Sequence, residues 1–152
     1  MKNGPAAVVV SVNTSAKKGT VKESQEEAVL RENYGIEGDA HAGSWPRQIS
    51  LLAEESISKM SAQGIPGLKP GDFAENITTR GIELYTLPVG TVLSLGECLV
   101  EITRIGKECH QDCAIRQKTG NCIMPSEGVF ARVIRGGRLR AGGRIKIEEC
   151  SG

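Results

Sequence analysis

The feature that most constrains this chain is the rhythm of its apolar residues: short β-branched runs, each closed by a glycine turn or a polar cluster. Ala6 to Val12 lies between Gly4-Pro5 and Asn13-Thr14-Ser15 and reads as a buried strand. Gln48 to Ala53, Ala74 to Thr79, Thr91 to Leu95, Cys98 to Ile105 and Val129 to Ile134 repeat the pattern, and Gly96-Glu97 reads as the turn of a hairpin. Toward the end, Arg135-Gly136-Gly137 turns, Leu139 leads into Ala141-Gly142-Gly143, and Ile145 and Ile147 alternate with Lys146 and Glu148, which predicts that both isoleucines face the core. One segment reads as a helix, Glu54 to Gln63, with Ala53, Ile57 and Met60 on one face and Gly64 as its stop. Glu26 to Glu32 fits a helical turn or an edge strand around Ala28-Val29-Leu30, and the local pattern leaves both open. The expected fold is mainly β (α+β), a closed or nearly closed barrel with few helices.

A length of 152 residues fits a single domain over residues 1–152. With 19 Lys and Arg against 18 Asp and Glu, the net charge of +1 provides no general field for nucleic acid or an anionic membrane. Aromatic residues make up 3% of the chain, too few for a base-stacking platform. The apolar start is far shorter than the roughly 20 residues that span a bilayer, and it lacks a cleavage pattern, so a cytoplasmic protein is expected. Five cysteines, an odd count, argue for reduced thiols over a disulfide framework. Cys98 shares a strand face with Val100 and Ile102 and reads as a core residue.

Chemistry concentrates in the segment from Gly106 to Cys122. Cys109, Cys113 and Cys122 fall within fourteen residues, with His110 beside the first, directly after a predicted strand. Soft thiolates and an imidazole suit zinc or another soft metal, so Cys109, His110, Cys113 and Cys122 form one candidate ligand set, although C-x3-C is not the usual zinc-knuckle spacing. A second reading makes one thiol reactive: Lys107 and His110 favour the thiolate, the form that attacks or accepts sulfur. Three inert buried thiols are the third reading, which so polar a neighbourhood disfavours.

Two further strings are polar and glycine-flanked. Gly38-Asp39-Ala40-His41-Ala42-Gly43 has the form of an anion nest built from backbone amides, with Asp39 and His41 placed to orient a ligand or each other. A tight turn with a solvated histidine is the plainer meaning. Arg47 follows, with the planar fork that holds phosphate or carboxylate. Glu75 and Asn76 stand at the start of a strand, where Asn76 by itself reads as a turn residue.

The strings GIEGDAHAG, QISLLAEESI, GDFAENITTRGIEL, LPVGTVLSLGE, EITRIGKECHQDC and GVFARVIRGGRLRAGGRI occur in the order and spacing of stand-alone bacterial MOSC-domain proteins, and the chain resembles that family over residues 6 to 148. The family takes its name from the C-terminal domain of molybdenum cofactor sulfurase. The resemblance implies a barrel-like domain with a cysteine after the strand ending near Ile105, which carries sulfur or binds the molybdenum cofactor. Cys109 matches that position best, and Cys113 is the second candidate. Gly38, Asp39, His41, Glu75 and Asn76 match the family's other polar motifs and are implied as pocket lining, and Arg47 and Lys107, singled out by their charge, complete the candidate cofactor-binding set. The family often has a histidine ahead of the arginine in the tryptophan string, where this chain reads Trp45-Pro46-Arg47. The sulfurase's pyridoxal phosphate belongs to a separate domain for which this chain has no space, so a pyridoxal phosphate sulfur donor would be a partner protein.

These readings leave a molybdenum cofactor-binding or sulfur-carrier protein as the expected function. A molybdenum-dependent reductase of N-hydroxylated compounds and a zinc-stabilised, non-catalytic binding module are the alternatives, and whether the protein is a sulfurtransferase, an oxidoreductase or no enzyme stays open.

Overall fold

The computed structural model describes residues 7–17, 21–43, 45, 48–62, 68–106 and 127–149. Strands Ala7–Thr14 (β1), Glu23–Gln25 (β2), Ala28–Arg31 (β3), Gly35–Ile36 (β4) and Ile49–Ala53 (β5) precede the helix Glu54–Ala62 (α1). Ile77–Arg80 (β6), a 3-10 turn at Leu84–Thr86, Val92–Leu95 (β7), Cys98–Ile105 (β8), Val129–Arg135 (β9), Gly137–Leu139 (β10) and Arg144–Glu149 (β11) follow. Seven of the strands close on themselves in the order β1-β11-β7-β8-β9-β5-β6, with β2 attached to β1 and a separate three-stranded sheet of β10, β3 and β4. Every pairing around the ring is antiparallel except β5 with β6.

Register explains why the apolar residues meet. Val12 pairs with Ile77, Ile77 with Leu51 and Leu51 with Val129, and all four are fully buried. Because side chains alternate along a strand, residues in register share a face, and this row fills the barrel interior. On β8, Cys98, Val100 and Ile102 point inward while Leu99, Glu101 and Thr103 are half-buried, so the core reading of Cys98 holds. β5 is buried on both faces: Ile49 and Leu51 look into the barrel, and Leu52 packs outside with Ile57, Met60, Phe73 and Phe130. That outer layer is the seat of α1, and burying Ile57 and Met60 contributes about 1.5–3 kcal/mol each.

Three expectations are refined. The open segment at Glu26 to Glu32 is a strand, because β10 supplies a partner (Gly137↔Leu30, Leu139↔Ala28) and the burial of Ala28 and Leu30 has period two. Ile145 is buried as expected, but Ile147 is 46% exposed. Its partner Leu93 puts it on the inner face, yet it lies past the last described β1–β11 pair, Ala7↔Ile145, where nothing in β1 covers it. The helix ends at Ala62, and the proposed stop Gly64 lies outside the described residues. No helix among the described residues is long and apolar enough to cross a membrane.

Candidate functional site

The strand β1 runs out of the barrel at Asn13, Thr14 and Ser15, and two polar loops converge there. The backbone N–H of Ala40 donates to the Ser15 carbonyl at 2.8 Å, and that of Asn13 donates to the Asn76 carbonyl at 2.7 Å. A third strand of chain joins them through the Lys22 N–H, which donates to the Gly71 carbonyl at 2.7 Å. Gly71 must be glycine here, since its φ is +91° and a Cβ would lie 2.1 Å from the Lys22 carbonyl oxygen.

At the centre is a buried ion pair that sequence reading did not find. The Lys22 ammonium lies 2.8 Å from Asp39 Oδ1, and neither side chain is exposed at all. Lys22 also bonds Ser15 Oγ at 3.0 Å and meets His41 Nδ1 at 3.1 Å. Asp39 accepts the Ser15 N–H on Oδ1 at 3.1 Å and the His41 N–H on Oδ2 at 3.0 Å. Burial pushes the Asp39 carboxyl up, but the Lys22 hydrogen bond and charge, with the two backbone donors, outweigh it and hold the group below its ordinary value. Lys22 gave no signal because it sits in a charged, locally ambiguous stretch, Lys17 to Asn33, where nothing marks one lysine as buried.

The amide nest expected in the Gly38 to Gly43 loop is already occupied. The N–H groups of Asp39, Ala40, His41, Ala42 and Gly43 donate to Ile36 O, Ser15 O, Asp39 Oδ2, Asp39 O and Tyr34 O. Four of these acceptors are backbone carbonyls and one is the Asp39 carboxylate, so the five amides are already paired within the chain. Gly38 has a φ of +81° with open space where a Cβ would be, and it lies between two surface grooves. One, of about 510 Å³, is lined by Thr14, Ser15, Lys17, Glu23 and Gln25. The other, of about 450 Å³, is lined by Arg31, Glu32, Tyr34 and Glu37.

Glu75 and Asn76 are fully buried in the wall behind the loop. Glu75 Oε2 accepts from Gly71 N at 2.9 Å and Thr78 Oγ1 at 2.7 Å, and Oε1 accepts from Phe73 N at 3.2 Å. Burial dominates and raises its carboxyl above the ordinary value despite these donors. Asn76 accepts the Ser50 N–H at 2.9 Å and donates to the Asn13 carbonyl at 3.1 Å, which ties β5 to β1 across the head of β6. Ala74 takes a left-handed φ of 65° to fold Glu75 back onto Gly71, a strain of about 1–2 kcal/mol.

Arg47, Lys107, Cys109, His110, Cys113 and Cys122 lie outside the described residues. The two ends of the 107–126 stretch are described: Gly106 N donates to Gly128 O at 2.6 Å, and Glu127 accepts from Ser56 Oγ at 2.5 Å and Lys59 Nζ at 2.7 Å. That anchor is beside α1, past the C-terminal end of β5, whereas the Gly38 to Gly43 loop lies ahead of its N-terminal end. A smaller cavity of about 220 Å³ at the α1 end is lined by Ala53, Ser56, Lys59, Ile82 and Tyr85, and none of the expected residues that are described lines it. No cluster of three or more metal-ligating side chains occurs among the described residues.

Taken together, a closed seven-stranded ring and a polar junction at the head of β1 define the class, and the comparison with known families agrees. The MOSC domain model matches residues 38–146, and the chain belongs to the MOSC domain family, known for binding molybdenum cofactor-related ligands. No curated protein matches the chain. Among solved structures it is similar to the YuaD protein from Bacillus subtilis, with a TM-score of 0.78 and 19% identity over 95% of this chain and 97% of that one. It is also similar to YiiM from Geobacillus stearothermophilus (TM-score 0.69, 20% identity, 94% of this chain and 75% of that one). For YiiM from Escherichia coli the TM-score is 0.68 at 22% identity, over 97% of this chain and 72% of that one. At such identities the likeness supports the fold alone.

Proposed function

We propose that this protein binds the molybdenum cofactor, or carries sulfur for it, through a thiolate in the 107–126 stretch, with Cys109 as the acting residue and Cys113 as its alternate. The observation that carries this reading is the family match over residues 38–146, which takes in both the Asp39–His41 loop and the cysteine segment. The groove beside Gly38 is polar, bordered by Ser15, Lys17, Glu23 and Gln25, and the Lys17 ammonium is the cationic group there that suits a phosphate-bearing ligand. Arg47 and Lys107 supply the remaining cations, and Gly38, Asp39 and His41 form the rim. Glu75 acts from behind by holding the Gly71 turn, whose carbonyl accepts the Lys22 N–H, and Asn76 by tying β5 to β1. The cofactor, when bound, contributes a molybdenum centre that takes a thiolate sulfur as ligand. In the sulfur-carrier form, the sulfur comes from a pyridoxal phosphate enzyme acting in trans.

Mass spectrometry and elemental analysis of the protein from cells that make the cofactor test this directly. A pterin with molybdenum, or a persulfide on Cys109, is the expected result, and Cys109→Ser should remove it with the fold intact. Retention of cofactor or persulfide in that variant moves the role to Cys113. Stoichiometric zinc that survives dialysis, held by Cys109, His110, Cys113 and Cys122, with no pterin or persulfide, overturns the proposal. A bound pterin together with reduction of an N-hydroxylated compound separates a molybdenum-dependent reductase from a carrier.

A further inference from the structure

The cavity beside α1 is walled by that helix and by the 81–85 segment, with Ala53 at the end of β5 as its third side. The two walls are tied together twice: Glu55 Oε2 accepts the Gly81 N–H at 3.0 Å, and Lys59 Nζ donates to the Tyr85 hydroxyl at 3.2 Å. Ile82 and Tyr85 pack against the barrel core, which holds their wall in place and gives it an apolar face. An apolar cavity of about 150 Å³ admits benzene. This one, at about 220 Å³, has room for a ring with a short arm. Charge decides what the arm carries. Glu55 and Glu83 line the cavity and are exposed, each with one oxygen engaged, by the Gly81 N–H and the Tyr85 hydroxyl. Lys59, the cation in the lining, is held by Glu127 at 2.7 Å, and the neighbouring Arg80 is held by Glu54 at 2.8 Å. With those partners included, the four carboxylates of Glu54, Glu55, Glu83 and Glu127 stand against the two cations Lys59 and Arg80, so the local field favours a positive ligand. The Tyr85 ring already has one ammonium near it, Lys59 Nζ at 5.2 Å from its centre, and an aromatic wall of this kind suits another cation.

We propose that this cavity binds a small primary amine with an apolar body, the body against Ala53, Ile82 and Tyr85 and the ammonium at Glu55 and Glu83. The body supplies most of the affinity by leaving water. The ammonium supplies the selectivity, because ion pairs with exposed carboxylates contribute little each. This site is separate from the Gly38 loop, and it does not rest on the molybdenum cofactor reading. Ser56 and Lys59 line the cavity and also hold Glu127, so a ligand seated there meets the two side chains that anchor the end of the 107–126 stretch.

Phenethylamine, phenethyl alcohol and hydrocinnamate share a ring and differ in the charge of the arm, so they separate the two halves of the proposal. Each is titrated into the 15N-labelled full chain at neutral pH and low salt. Phenethylamine should shift the amide signals of residues 55–59 and 82–85 and bind about threefold or more tighter than the alcohol, with hydrocinnamate weakest. The preference should shrink in high salt. The double variant Glu55→Gln/Glu83→Gln changes only exposed side chains; it should erase the preference for the amine and leave the alcohol as in wild type. Ala53→Leu, which fills the cavity, should abolish binding of all three, and the double variant decides the charge argument even where Ala53→Leu fails to fold. Equal binding of the three probes, tighter binding of hydrocinnamate, or an amine preference that survives the double variant overturns the proposal. So does an absence of binding, or binding that shifts signals only outside these two segments.

Discussion

Replacing Lys22 by methionine is the sharpest test of the junction at the head of β1. The substitution keeps an unbranched side chain of similar reach and removes the ammonium, leaving the Asp39 carboxylate with no exposed surface and without its Lys22 counter-charge. Removing one partner of a buried pair costs about 3–5 kcal/mol. Two backbone donors, from Ser15 and His41, still reach Asp39 after the change, which places the expected loss toward the lower end. The pH dependence carries a sign. Asp39 in the folded wild type titrates below its ordinary 3.8, so its contribution is present above that value and is lost as pH falls through the folded pKa. In Lys22→Met, burial acts unopposed by the ammonium and the carboxyl moves up, so the gap between variant and wild type should be widest at neutral pH and narrow on acidification. Urea unfolding measures the loss, and the double variant Lys22→Met/Asp39→Asn should recover at least about 2 kcal/mol of it. Single effects that add within about 0.5 kcal/mol would show that the two residues are not coupled and that the pair does not hold the loop.

Glu75→Gln should cost about 1–3 kcal/mol, because an amide places its NH2 against the N–H of Phe73 or the donors on Oε2, and thermal unfolding reads the loss. Gly71→Ala should destabilise by at least about 2 kcal/mol, since its φ is +91° and the added carbon meets the Lys22 carbonyl; a neutral effect in urea unfolding would contradict the close approach. Burial, with Glu97 adding to it, pushes the Cys98 thiol up to about 11, so limited alkylation at neutral pH should spare Cys98 until the chain unfolds, while Cys109 or Cys113 is labelled first; peptide mapping identifies the modified residue.

The barrel was legible because its strands are patterned by burial, and burial leaves a period in the sequence. β8 was read to the residue, and α1 was read to within one. β3 was ambiguous because its partner β10 lies more than a hundred residues away, and no local window contains that information. The site was legible in outline only. Asp39 and His41 stood out by residue type, but the sequence offered a nest of free amides where the structure has amides already paired, four with backbone carbonyls and one with the Asp39 carboxylate. Lys22 was invisible because a lysine among glutamates carries no mark of being buried; only the meeting of β1, the Gly38 loop and the Gly71 turn encloses it. Glu75 and Asn76 were recognised as unusual, yet whether such residues face a ligand or the wall is decided by strand pairings that a single sequence does not state.

The closure of the ring sets the order in which the protein can be made. β1 donates part of its open edge to β11, with Ala7 against Ile145 and Val8 against Arg144, so the first and last described strands are neighbours. A ribosome delivers β1 long before β11, and until the late strand emerges the barrel is an open sheet with unpaired backbone groups along two rims. Such rims are templates for pairing with other chains. Contacts so distant along the sequence also form slowly. A chain in which β11 has not yet joined β1 and β7 leaves that seam open, and closing the ring removes the hazard.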